Sequence, residues 1–259
     1  MRDLPAMLDL RSEARRTPVT LDAALRMDDE SRQAAIGEWT RRMVEEQASS
    51  RAFAGLLPQM MRAGVDPQFQ AAAADAVVDE LRHSRLCAAV VQALGGEARA
   101  PMIDADEMPR HDGVGTLEAL LRNILEVSCL EETVGVAVLE HRYRHAREST
   151  FRRVIAEILD DEIGHSRLGW RLLQQLEPRI DARLRERLGA HLVPAFARLL
   201  ERHGAPHESA ADKVLLAEAI NEVIVPRLEA FELPARPALA AALATPDAAD
   251  DPFIWAATD

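Results

Sequence analysis

Apolar residues recur at three- and four-residue intervals along most of the chain, the spacing of a single helix face. The clearest stripes run through Phe69, Ala73, Ala76, Cys87, Val90 and Leu94, and through Phe151, Ile155, Ile158, Gly169, Leu172 and Leu176. No stretch alternates with period two, so no strand is expected. Four long helices are predicted, over roughly 31–63, 67–95, 116–147 and 150–176. Gly64 closes the first. Asp66-Pro67 opens the second, with a cap and a proline at the first helical position. Gly95-Gly96 stops it, and Pro178 stops the fourth. Shorter helices follow over 180–203, 209–230 and 235–244. Residues 1–30 read as a loose arm with a short helix over 20–27.

The stretch 97–115, with Pro101, Pro109, Gly113 and Gly115, is the one long connection. About 19 extended residues reach at most roughly 60 Å. The second helix is only about 43 Å long. The connection can therefore return along it and set the third helix parallel to the second, whereas the other links are short and force antiparallel neighbours. The expected fold is all-α: a four-helix bundle over 31–176 with one long crossover. Helices over 177–259 add to it within the same domain, and the tail Phe253-Ile254-Trp255 is free to dock.

Composition narrows the function. Aromatic content is 4% in 259 residues, which favours helix over sheet. A net charge of −12 argues against nucleic acid as the main partner. No apolar run suffices to span a membrane, and the N-terminus lacks the apolar core of a signal peptide. Cys87 and Cys129 form no CxxC pair and read as reduced, buried thiols, so the cytoplasm is the expected location.

The chemistry lies in two tetrapeptides, Glu80-Leu-Arg-His83 and Glu162-Ile-Gly-His165. In each, a carboxylate and an imidazole three residues apart share a helix face. Both pairs sit mid-stripe, where a charge is costly unless it finds a partner. Asp79, Arg82, Arg85, Asp161 and Arg167 fall on other faces. Each ExxH helix follows one that offers a Glu pair. Glu46 shares its face with Trp39, Met43, Phe53 and Leu57, while Glu45 points to water. In the third helix both Glu131 and Glu132 lie on apolar faces. Glu132 is favoured as the inward group and Glu131 as its supporting neighbour. The separations 46 to 80 and 132 to 162 are similar, so all six groups can meet in one layer of two antiparallel hairpins.

With these residues in place, the chain resembles the carboxylate-bridged di-iron proteins of the ferritin-like superfamily, whose pattern is Glu, ExxH, Glu, ExxH on four successive helices. The resemblance covers about residues 31–176. It implies a ferritin-like bundle in which Glu46, Glu80 and His83 hold one iron and Glu132, Glu162 and His165 the other, with Glu80 and Glu162 bridging. It implies two Fe ions, with Mn as the substitute, and O2 as co-substrate. The ligand separations come close to those of di-iron N-oxygenases, although Ile158 stands where those enzymes carry an extra His. The implied activity is a non-haem oxygenase that hydroxylates or N-oxygenates a small organic substrate, using an external electron donor. The alternatives are a ferroxidase or iron-binding protein and a rubrerythrin-like peroxidase. A homodimer is compatible with either.

Other residues read as structural. Glu140 to His145 form a solvated charged face, and His191, His203 and His207 are surface groups. Trp39 and Trp170 pack the core, and Glu218 and Glu222 are given no role. The small residues Ala76, Ser128, Gly135 and Gly169 leave room for a substrate.

Overall fold

The structure, a computed structural model, describes residues 6–22, 25–103, 108–204 and 210–244. Among these it is helical apart from two three-residue strands. They fall into two compact units: Met1–Pro109 with Arg142–Asp161, and Arg110–His141 with Glu162–Asp259.

In the first unit, α1 (Arg11–Arg16) precedes the long hairpin of α2 (Asp29–Arg62) and α3 (Pro67–Ala93). Asp28 caps α2 by accepting from Ser31 N at 2.7 Å. Asp66 caps α3 through Gln68 N at 3.0 Å, with Pro67 at the first helical position. Gly64 turns the hairpin at φ +64°, a conformation that costs residues with a side chain. Met43, Phe53, Leu56, Met60, Ala73, Cys87 and Val90 fill the seam.

The long connection behaves as its length predicts. A Cβ at Gly96 would lie 2.8 Å from Ile36, so α3 ends near the start of α2. The chain then runs back along α2. Arg51 donates to Ile103 O at 2.8 Å, Met108 closes on Gly55, and Gln59 donates to Pro109 O at 3.2 Å. From Ile36 to Gln59 this return covers roughly 34 Å of helix axis.

Two expectations fail here. β1 (Met7–Asp9) pairs antiparallel with β2 (Arg99–Pro101), bracketed by Leu10 N to Ala98 O and Met102 N to Ala6 O. Three residues are too few for period-two alternation to register, so no strand was foreseeable. The described residues of the expected arm, 6–22 and 25–30, are also docked rather than loose. α1 packs on α3, and the helix expected over 20–27 is not formed at 20–22 or 25–27. Thr20 O instead accepts from Thr150 Oγ1 at 2.8 Å, and Asp22 N donates to Glu148 at 2.9 Å. Glu148 also caps α6 (Ser149–Leu176) through Phe151 N at 2.5 Å. Burial opposes its charge, yet these N–H groups hold its pKa below the ordinary value.

In the second unit the predicted third helix is interrupted. α4 (Thr116–Ile124) passes through a π-helical segment, Leu125–Glu131, into α5 (Glu132–His145). After a 3-10 turn, α7 (Ala182–His203) packs against α10 (Ala235–Leu243), and Leu184, Leu188 and Leu192 of α7 are buried. Between them, α8 (Ala210–Glu218) and α9 (Val225–Ala230) are joined by a second π segment, Ala219–Ile224. The Phe253-Ile254-Trp255 tail and His207 lie outside the described residues. No helix among the described residues is long and apolar enough to cross a membrane.

Candidate metal centre

All six residues singled out by pattern are buried: Glu46, Glu80, His83, Glu132, Glu162 and His165. In the α2–α3 hairpin, His83 Nδ1 lies 3.6 Å from Glu46 Oε2 and 3.7 Å from Glu80 Oε2. The second ExxH closes on itself, with His165 Nδ1 at 3.1 Å from Glu162 Oε2. In the first unit, one ligand atom from each of Glu46, Glu80 and His83 lies within 4.8 Å of the others. In the second, the same holds for Glu132, Glu162 and His165. Each buried Glu/Glu/His group could hold a metal ion. The donor set fits: carboxylates concentrated away from water need cationic compensation, and neutral imidazoles beside them complete a coordination shell.

The surrounding residues fix these groups. His83 Nε2 sits 2.9 Å from Asp161 Oδ2, which leaves Nδ1 facing Glu46 and Glu80. A carboxylate on the far ring nitrogen sets the tautomer and orientation of a metal-binding His. Asp161 also takes Arg82, as does Glu157. Ser49 donates to Glu80 Oε1 at 3.1 Å. Ser84, directly after His83, donates to Met43 O at 2.6 Å and pins α3 to α2. Ser166, directly after His165, lies 3.0 Å from Thr133 Oγ1, directly after Glu132. Trp170 Nε1 donates to the same Thr133 hydroxyl at 3.2 Å, and Arg227 stacks over its ring.

Several sequence readings are corrected by these contacts. Asp161 does lie on another face of its own helix than Glu162 and His165, yet from there it serves His83. His191 is buried rather than on the surface, and His203 is half-buried. His191 Nε2 lies 2.7 Å from Glu126, and His203 Nε2 lies 2.7 Å from Glu131, with Arg202 at 3.3 Å from the same carboxylate. Glu131 therefore faces His203 and Arg202 of α7 rather than supporting Glu132. Gly169 leaves no room, since its Cβ would fall 2.4 Å from Ser128 Cβ and 3.1 Å from Cys129 Sγ. Gly135 does have open space beside it. Glu218 and Glu222 are exposed.

A signal for Asp161, Ser84 and Ser166 was present in the chain. The octapeptides Asp79–Leu86 (DELRHSRL) and Asp161–Leu168 (DEIGHSRL) agree at six of eight positions. The repeat extends ExxH by an Asp before it and a Ser after it; of the two Asp residues, Asp161 orients His83 of the other copy.

Compared with known proteins, the chain matches no family model and no curated protein.

Proposed function

We propose that this chain is a non-haem di-iron oxygenase built on a ferritin-like four-helix bundle. The observation that carries the reading is the pair of matched buried groups, Glu46, Glu80 and His83 in one unit and Glu132, Glu162 and His165 in the other, each with ligand atoms within 4.8 Å. Glu46, Glu80 and His83 would hold one ion and Glu132, Glu162 and His165 the other. Two Fe(II) ions would supply electrons to O2 for hydroxylation or N-oxygenation of a small organic substrate, with an external donor re-reducing them. The protein's own part is to keep the ligands dry, to fix His83 through Asp161, and to hold the ligand-bearing stretches in register through Ser84 and Ser166. The open space beside Gly135, one turn after Glu132, is where a substrate would approach.

The test is anaerobic Fe(II) titration followed by O2 consumption. About two ions per chain should bind, one for each Glu/Glu/His group, and then consume O2 without further iron uptake. Glu80→Ala should lose most of the load. Continued uptake far beyond two ions would point to storage, and a full load in Glu80→Ala would remove the ligand assignment.

A further inference from the structure

The stretch that leads from the end of α5 into α6 carries charge opposite to that of the molecule. In a chain of net charge −12, residues 142–153 hold five arginines, Arg142, Arg144, Arg147, Arg152 and Arg153, and a single acid, Glu148. Glu148 does not offset them. It is buried and accepts from the N–H groups of Asp22 and Phe151. Arg142 is taken by Glu38. Arg147, Arg152 and Arg153 are exposed, and none of the three makes an ion pair among the described residues. Guanidinium is weakly hydrated and matches a carboxylate with two parallel donors, so three such groups at one turn suit an acidic protein surface.

The same turn leads inward to the metal group of the first unit. The Arg152 Cζ lies 4.8 Å from the centre of the Tyr143 ring, which fixes this arginine over the end of α5. Its neighbour Phe151 meets Trp39 of α2, with ring centroids 5.7 Å apart. Trp39 is buried and stands two helical turns before Glu46 on the same face, roughly 10 Å along the axis. A partner seated on the arginines therefore stands at the surface end of an aromatic contact that runs toward Glu46.

We propose that Arg147, Arg152 and Arg153 form the docking surface for an acidic protein that delivers electrons one at a time. This rests on the di-iron reading above. Two ferric ions each take one electron and become ferrous, and two reduced donors leave oxidised. Charge directs the encounter: the donor's carboxylates are attracted to this turn and repelled by the acidic remainder of the chain, so the partner is steered to one place. The path through Phe151 and Trp39 is what favours an electron carrier over another anionic partner.

The experiment uses the iron-loaded full chain and, as probe, an acidic plant-type [2Fe–2S] ferredoxin on a sensor surface. Arg147→Gln, Arg152→Gln and Arg153→Gln together should slow association about tenfold at low ionic strength. The difference should vanish at about 1 M salt, where charges are screened within roughly 3 Å. Lysine at the same three positions keeps the charge and should keep most of the rate. Arg62→Gln, Arg179→Gln and Arg183→Gln together remove equal charge from exposed sites elsewhere and should slow association less than about threefold. No slowing by the first triple change, or equal slowing by the distant one, would overturn the proposal. So would tighter arginine-dependent binding of an anionic lipid vesicle or a single-stranded oligonucleotide. Electron delivery is read separately: dithionite should reduce the iron of both chains alike, and reduced ferredoxin should reduce the unaltered chain faster than the first triple variant. Equal rates from ferredoxin would overturn the proposal. Docking through the arginines with no reducible iron in either chain would instead sink the di-iron reading.

Discussion

Asp161 acts at the scale of one hydrogen bond. Its carboxylate on His83 Nε2 leaves Nδ1 oriented toward Glu46 and Glu80. Replacing it by Asn keeps the shape but removes the charge that favours a metal-binding imidazole. Asp161→Asn should weaken metal binding by about 10–100-fold. Competition with a chromophoric chelator would measure this, with unchanged helicity showing that the fold survives. Helical spacing alone did not reveal Asp161, because it projects from the flank of its own helix and meets its partner only on another. Glu132 and Glu131 show a related limit. Both lie on apolar faces, and their roles separate only when Glu131 is found against His203 and Arg202.

Among the elements, the π segment Leu125–Glu131 is the least foreseeable. One extra residue in the turn rotates everything after it, while the local composition stays that of an ordinary helix. The segment is held on two sides. Glu126 binds His191 and Arg198 of α7, and Ser128 and Cys129 pack directly on Gly169 of α6. A Cβ at Gly169 would meet Ser128 backbone at 3.0 Å as well as its side chain, so relief requires moving main chain. Gly169→Ala should therefore cost about 1–3 kcal/mol, read as a lower thermal midpoint. Alanine at Gly135, which has open space beside it, should be near neutral in the same assay. Pattern reading placed the long helices where they occur, though not the short one at Arg11–Arg16. It treated the small residues as equivalent, although one is a packing contact and the other borders space.

For the whole molecule, the net charge of −12 makes carboxylate titration a main control on stability. Burial raises the pKa of Glu126, but His191 and Arg198 outweigh it and bring it down to about 2. A carboxyl whose folded pKa lies below its unfolded value stabilises the fold above the unfolded pKa. That contribution is lost as pH falls through the folded one. Glu126 should thus contribute up to about 3 kcal/mol above roughly pH 4.5 and nothing below about pH 2. Glu126→Gln should lower the thermal midpoint at neutral pH and flatten its acid dependence across that window. An unchanged slope would mean that the π segment is held by packing rather than by this charge cluster.

The sequence by itself determined the helices and their ends, because hydrophobic period, caps and glycine stops are local properties of the chain. It also marked the buried Glu and His residues, since a charge in the middle of an apolar stripe stands out without coordinates. It carried the duplicated octapeptide too. Only the tertiary structure decided which carboxylate holds His83, where Glu131 turns, that the arm pairs with Arg99–Pro101, and that Arg42 pairs with Glu46. Those outcomes depend on which atoms from distant segments come within a few ångströms, and on helix register shifted by a single π turn. Neither has a signature in the spacing of residues along one element.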